Sequence, residues 1–408
     1  MGFGMAVNNN DKKIPKGWKL YKFIDIAEII GGGTPSKNNP DFWNGNIDWL
    51  TVADFNTGRK YIRHAEQKIT QLGLEKSSTK ILKKGQIIIS ARGTVGAIAV
   101  LAKDMAFNQS NYGINAKDNI TFNDFVYYLL KYKINELKQA SYGAVFDTIT
   151  KATFENLEIL LPPLHDQKAI ASVLSSLDDK IDLLHRENKT LEKMAETLFR
   201  KWFIEDAKED WEEVKLGDIL KVIESGKRPK GGINPTLKKG IPSIGAESIN
   251  GIGNFDFSNT KYISEEFFSS IKKGIVKDYD VLIYKDGAYI GKKAMFGLGF
   301  PFDKFAVNEH VFILRSNEKA NQFFLYFLLN KEDLAMLNSN SAQPGLNQKS
   351  IINFEIVLPD KDLITKFGDI VKVYIDKILT NSKQIRTLYQ MRDALLPKLM
   401  IGEIRLKF

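Results

Sequence analysis

The sequence predicts an α+β protein in which two pseudo-repeated, strand-rich domains are joined by two long helices that form an antiparallel coiled coil within the chain. Three observations carry this. One apolar seam runs through Ile170, Leu174, Leu177, Ile181, Leu184, Asn188, Leu191, Ala195, Leu198 and Trp202, with Asn188 its one polar member. A second, rougher seam begins 197 residues later (170 to 367), through Phe367, Val371, Tyr374, Ile378, Asn381, Ile385, Leu388, Arg392, Leu395 and Leu399. The sequence ahead of each seam repeats as well. Sustained a/d spacing means a helix that buries a narrow stripe against another helix. Both segments outrun the roughly 11–12 residues of an ordinary globular helix.

Taken in order, residues 1–13 are Gly- and Asn-rich and are expected to form a disordered tail. Residues 14–163 form the first domain. Glycine turns at Gly31-Gly32-Gly33-Thr34-Pro35 and Ala91-Arg92-Gly93-Thr94-Val95-Gly96 punctuate it. Ile47 to Phe55 reads as a strand and its exit, Gly85 to Ser90 as a turn followed by a buried strand and Leu157 to Leu161 as a short strand, with helical spacing from Phe122 to Leu137. Pro162-Pro163 stops the last strand. The first long helix then takes residues 164–206, with Asp166 at the positive end of its dipole. Residues 207–360 form the second domain, and 361–408 the second long helix with a C-terminal tail.

The two domains match in order. Lys19-Leu20 returns as Lys215-Leu216, Gln86-Ile87-Ile88-Ile89 as Asp280-Val281-Leu282-Ile283, and Arg92-Gly93 as Asp286-Gly287. Phe107-Asn108-Gln109 returns as Val307-Asn308-Glu309, and Tyr127-Tyr128-Leu129-Leu130 as Tyr326-Phe327-Leu328-Leu329. Offsets drift between 194 and 200, as loop insertions cause. Size then selects the helix direction. A domain of about 150 residues has a radius of gyration near 15 Å, whereas the helices run to roughly 60 Å. Parallel packing would demand that the domain span the whole helix; antiparallel packing needs only that its ends be neighbours. Asn188 and Asn381 then read as positions that set the register.

At 408 residues the chain is too long for one core. It is 43% hydrophobic and 26% charged, an ordinary globular profile, and its net charge of +9 permits a polyanionic partner. With no cysteine, disulfides, thiolate catalysis and Cys-based zinc sites are excluded, and a cytoplasmic home is expected. The start lacks the charged-then-apolar pattern of a secretory signal. The apolar clusters Phe125 to Leu130 and Phe323 to Leu329 fall far short of the ~20 residues of a membrane span. No membrane partner is expected.

Catalytic patterns are missing. His64, His165, His185 and His310 form no metal spacing. There is no Walker A loop, no G-x-S-x-G elbow and no Asn-Pro-Pro-aromatic segment for a flipped base. Glu213-Val214-Lys215 is only a weak nuclease-like E-x-K. The chain reads as one that binds and positions, with no catalytic residue, metal or cofactor of its own.

Five segments carry a resemblance. They are Leu160-Leu161-Pro162-Pro163-Leu164-His165-Asp166-Gln167, Leu198-Phe199-Arg200-Lys201-Trp202-Phe203, Leu395-Leu396-Pro397-Lys398-Leu399-Met400-Ile401-Gly402-Glu403-Ile404, and the two glycine turns of the first domain. On these the chain resembles the specificity (S) subunit of type I restriction–modification systems over nearly its whole length. The resemblance implies two target-recognition domains, each reading one half of a bipartite site in double-stranded DNA. It implies that the helices set the gap and dock two methyltransferase (M) subunits, with restriction (R) subunits joining the complex. S-adenosylmethionine, ATP and Mg would be bound by those partners. The second half departs from the pattern. It has Gly226-Lys227-Arg228-Pro229 for the Gly-rich turn, Asp286 for Arg92, and Leu358-Pro359-Asp360 before its long helix.

DNA contacts would draw on Lys and Arg for phosphates. The candidates are Lys37, Arg59, Lys60, Arg63 and Arg92 in the first domain, and Lys227, Arg228, Lys230, Lys285, Lys292 and Lys293 in the second. Base edges call for amides and hydroxyls: Thr34, Ser36, Asn108, Gln109 and Ser110, then Gln343, Asn347 and Gln348. Against each stands a plainer role, a solvated charge or turn and cap chemistry. For the whole chain, a protein–protein scaffold built on a coiled-coil rod is the alternative.

Overall fold

The computed structural model describes residues 15–141, 148–234, 236–287, 290–332 and 345–406. The expected tail and Gln343 lie outside the described residues. The chain divides into two units, Met1–Asp182 with Leu388–Phe408, and Leu183–Thr387. Both long helices are shared. The first (Leu164–Arg200) begins in unit one and ends in unit two; the second (Lys361–Met400) does the reverse.

The strands of unit one are β1 (Lys19–Lys22), β2 (Ala27–Gly31), β3 (Trp43–Leu50), β4 (Tyr61–Ile62), β5 (Gln67–Ile69), β6 (Ile81–Leu82), β7 (Ile87–Ser90), β8 (Ile98–Leu101), β9 (Met105–Phe107), β10 (Asn111–Ala116) and β11 (Glu158–Leu161). β1 pairs with β11. The others make a five-stranded sheet, β2-β10-β7-β8-β4, and a four-stranded one, β5-β3-β9-β6. β7 is buried along its length, as an unbroken Ile-Ile-Ile run in a sheet interior requires. Helix Asn123–Ser141 packs Phe125 to Leu130 into the same core.

Unit two repeats this plan with β12 (Glu212–Lys215), β13 (Leu220–Ser225), β14 (Ile241–Ile244), β15 (Gly251–Ile252), β16 (Lys261–Ile263), β17 (Val281–Tyr284), β18 (Lys293–Met295), β19 (Ala306–Val307), β20 (Val311–Ser316) and β21 (Glu355–Leu358). β12 pairs with β21, and the sheets run β13-β20-β17-β18-β15 and β16-β14-β19. The smaller sheet lacks a counterpart of β6, which is reduced to one bridge, Ile275 to Ala306. Helix Gln322–Lys331 buries Phe323 to Leu329.

Within each unit the long helices pack antiparallel. In unit one, Ile170 and Leu174 share a core with Leu396, Leu399 and Met400. In unit two, Phe199 lies 5.7 Å from Phe367, and Asn381 Nδ2 donates to Asn188 Oδ1 at 2.8 Å. The two seam asparagines thus meet, as register-setting residues should. The buried stripe is wider than the expected seam. Phe199, Ile364, Ile375 and Leu379 are buried beside it, because each helix also carries the side of a domain. Leu177, Leu191, Leu198, Trp202, Tyr374, Leu388 and Leu395 are half-buried members. Arg392 is 4% exposed and bonds Asp178 Oδ1 at 2.7 Å.

Candidate nucleic-acid interface

Strand register creates one loop cluster in each unit. In unit one β10 lies between β2 and β7, with Tyr112 opposite Gly31 and Asn111 opposite Ser90. The end of β2, the end of β7 and the start of β10 therefore coincide. Three distant loops emerge there: Gly32 to Lys37, Ala91 to Gly96, and Asn108 to Ser110. Backbone bonds tie them together, from Gly33 N to Phe107 O at 3.0 Å and from Ala91 N to Ser110 O at 2.9 Å. Gly32 is needed for this approach, since a Cβ there would sit 2.3 Å from Asn108 O.

Unit two builds the same frame. Ser225 faces Phe312 and Tyr284 faces Val311, so Gly226 to Lys230, Lys285 to Gly287 and Asn308 to His310 converge. Four hydrogen bonds recur position by position. Asn108 N to Leu50 O matches Asn308 N to Ile244 O, and Ala91 N to Ser110 O matches Lys285 N to His310 O. Ile149 N to Ala91 O matches Leu346 N to Lys285 O. Asn108 Oδ1 accepts from Ser110 N at 3.1 Å, and Asn308 Oδ1 from His310 N at 3.0 Å. At Gly226 a Cβ would fall 1.6 Å from Val307 O.

The side chains on the two frames differ. In unit one Thr34 Oγ1 donates to Gln109 Oε1, and Lys37 and Arg92 are exposed on the converging loops. In unit two the corresponding pair is Arg228 and Glu309, joined Nε to Oε1 at 2.6 Å. Glu309 Oε1 also lies 3.2 Å from His310 Nε2, and His310 Nδ1 lies 2.8 Å from Asp286 Oδ2. Nearby, burial works against the Glu247 charge, but Lys261 holds its carboxyl below the usual range.

Several predicted contacts lie elsewhere. Lys60 is a correction: it is 2% exposed, its Nζ bonding Asp124 Oδ1 at 2.7 Å and Ser175 Oγ at 2.8 Å under the Tyr128 ring. Arg63 is 42% exposed and paired with Asp182 of the first long helix at 2.7 Å. With Tyr61, whose hydroxyl donates to Asp179, they seat the domain on its helix. Arg59 is exposed on the same segment. Asn108 and Ser110 are consumed by the turn. Asn347 caps helix Gln348–Ile352, accepting from Ser350 N at 2.8 Å. Gln348 reaches Ile223 O at 3.4 Å. The Trp43 indole anchors Ser36 through its carbonyl at 3.1 Å.

Lys285 Nζ sits over the Phe312 ring, and Lys292 and Lys293 lie where the chain enters β18. Lys227 and Lys230 are exposed in the cluster. Glu309, His310 and Asp286 join the cluster without having been expected there. The match of Asn308-Glu309 to Asn108-Gln109 was the signal that could have found them.

Comparison with known proteins agrees with this architecture. Residues 15–193 and 208–389 each match the type I restriction modification DNA specificity domain. The chain is 31% identical to the type I restriction enzyme MjaIX specificity subunit of Methanocaldococcus jannaschii, over 97% of this chain and 95% of that protein. It is 28% identical to the EcoR124I/EcoR124II specificity subunit of Escherichia coli over 40% of each chain. The crystal structure of a type I S subunit from M. genitalium shares the fold, with a TM-score of 0.56 and 20% identity over 97% of this chain and 98% of that one. The chain belongs to the type I restriction–modification specificity subunit family. Its two strand-rich units are the two target-recognition domains.

Proposed function

We propose that this chain chooses the DNA site for a type I restriction–modification complex, each loop cluster reading one half of a bipartite sequence. The carrying observation is the duplicated frame: one set of backbone bonds presents two unlike sets of side chains. That is what two different half-sites require. Lys37, Arg92, Lys227 and Lys230 supply phosphate neutralisation at the cluster rims. The long helices fix the unread gap and dock two methyltransferase subunits. Exposed apolar side chains on them, Leu183 and Met194 on the first and Val373 and Met391 on the second, support a docking role. Chemistry stays with the partners, which bind S-adenosylmethionine, ATP and Mg, and the complex acts in the cytoplasm. Among the described residues no helix is long and apolar enough to cross a membrane, and no acidic or His cluster could hold a metal.

The test is to express the chain with its methyltransferase partner and map methylated adenines by single-molecule sequencing. A bipartite motif that vanishes when this chain is deleted is expected. Methylation unchanged by the deletion would sink the reading, as would DNA affinity insensitive to salt, which fits a protein scaffold.

A further inference from the structure

We infer that residues 34 with 109, and 228 with 309, are the homologous base-reading pairs of the two domains, and that Arg228, ion-paired with Glu309, reads a guanine. This rests on the DNA-reading function proposed above. The correspondence is geometric. Gly32 and Gly226 approach the same carbonyl, a Cβ there falling 2.3 Å from Asn108 O and 2.9 Å from Asn308 O, so Thr34 and Arg228 are equivalent, two residues further on. Gln109 and Glu309 each follow the turn-forming asparagine. In both units the two positions meet, Thr34 through a hydrogen bond to Gln109 and Arg228 through an ion pair with Glu309.

The Arg228 side chain is 56% exposed, and its Nε lies 2.6 Å from Glu309 Oε1. Among the described residues no hydrogen bond is made by its two Nη atoms, so the half-exposed guanidinium keeps a planar donor fork for a ligand. Guanine offers O6 and N7 as the matching acceptor pair in the major groove. Phosphate anchoring fits less well, because Glu309 cancels the charge that a phosphate would need. The exposed Lys227 and Lys230 on either side meet that need instead. A carboxylate fixing an arginine trades charge for orientation, which serves base reading. His310 Nε2 lies 3.2 Å from Glu309 Oε1, and the His310 ring is itself hydrogen-bonded to Asp286. In unit one the pair presents the Gln109 amide, buttressed by the Thr34 hydroxyl, and an amide is complementary to adenine N6 and N7.

The full chain with its methyltransferase partner is the material for the test, as wild type, R228Q, R228K and E309Q. The methylated motif is mapped, and binding is measured on duplexes with each base pair swapped. The wild type is expected to require a G·C pair in one half-site, rejecting its replacement by about 5- to 150-fold. R228Q and R228K should both lose that preference and leave the other half-site unchanged. R228K keeps the charge, so its failure would isolate the fork. E309Q should weaken the preference partway. An intact bipartite motif unmoved by R228Q and R228K, or an equal loss on every duplex, overturns this assignment alone. A wild-type complex with no bipartite motif overturns the functional reading with it.

Discussion

One layer of the molecule occurs twice with opposite chemistry. In unit one, Tyr128 Oη donates to Asp178 Oδ2 at 2.8 Å, and Arg392 Nη1 bonds Asp178 Oδ1 at 2.7 Å, all three groups buried. The repeat carries these positions to Phe327, Ile375 and Ala195 in unit two, also buried, in a core of Phe199, Phe324 and Phe367. Phe199 lies 6.3 Å from Phe327 and 5.7 Å from Phe367. The same helix-on-helix seat is thus filled once by a hydrogen-bonded ion pair and once by aromatic and aliphatic packing. Hydrocarbon needs only volume there. The ion pair needs every partner, since a buried charge left alone costs far more than the pair gains. Unit one is therefore the more brittle half.

The largest effect should come from breaking that pair. Asp178→Ile leaves Arg392 buried without its main partner and should cost unit one about 3–5 kcal/mol. Burial works against the Arg392 charge, and Asp178 with Asp393 outweighs it, holding the group above its ordinary value. The triple change Tyr128→Phe, Asp178→Ile, Arg392→Leu puts hydrocarbon in all three positions, as unit two does, and should recover most of the loss. Hydrogen exchange in helix Asn123–Ser141 is the measurement. A single variant as stable as wild type would break the comparison.

Next is a gain. Burial, then the nearby Arg392, pushes the Lys131 ammonium down to about 8. An amine held below its unfolded value disfavours folding while it is protonated. The cost is fully present below pH 8 and fades as pH rises toward 10.5. Lys131→Met should raise stability near neutrality by roughly 1–3 kcal/mol and remove that share of the alkaline gain. Paired denaturation curves at pH 7 and pH 10 check both. An unchanged difference between the two proteins across that range would show that Lys131 is not strained.

Much of this was legible beforehand. The seams, the repeat and the antiparallel return follow from spacing and length, because a heptad states its partner's geometry locally. Arg392 was visible in its seam only as a defect; Asp178 lies off the a/d line and was not seen. The loop clusters were half legible. Thr34, Gln109 and Arg92 were named singly, but their meeting depends on register between strands distant in sequence. Lys60 misled because a basic residue in a loop looks the same in sequence whether it faces a phosphate or an aspartate of its own domain.

A smaller effect compares two caps. Thr150 Oγ1 accepts from Thr153 N at 3.3 Å, and 197 residues on Asn347 Oδ1 accepts from Ser350 N at 2.8 Å. Asparagine is the stronger cap. Asn347→Ala should cost about 1 kcal/mol, and Thr150→Ala somewhat less, each read by exchange of its own helix. Equal protection in variant and wild type would mean that the following strands, not the caps, hold these turns.

The smallest stability effect separates the two kinds of arginine in unit one. Arg63 and Asp182 form an ion pair open to solvent on the arginine side, 42% against 15% exposed, and such a pair contributes about 0–1 kcal/mol. Arg92 is exposed in the loop cluster. By stability alone the two alanine variants should be hard to tell apart. Salt dependence of DNA binding distinguishes them. Loss of one phosphate contact reduces the slope of log affinity against log salt by about 1. Arg92→Ala should show that reduction, uniformly over duplex sequences, and Arg63→Ala should leave the slope intact, because its charge is already spent on Asp182. If Arg63→Ala moves the slope and Arg92→Ala does not, the DNA lies against the helix-facing segment, and the loop clusters are not the reading surface.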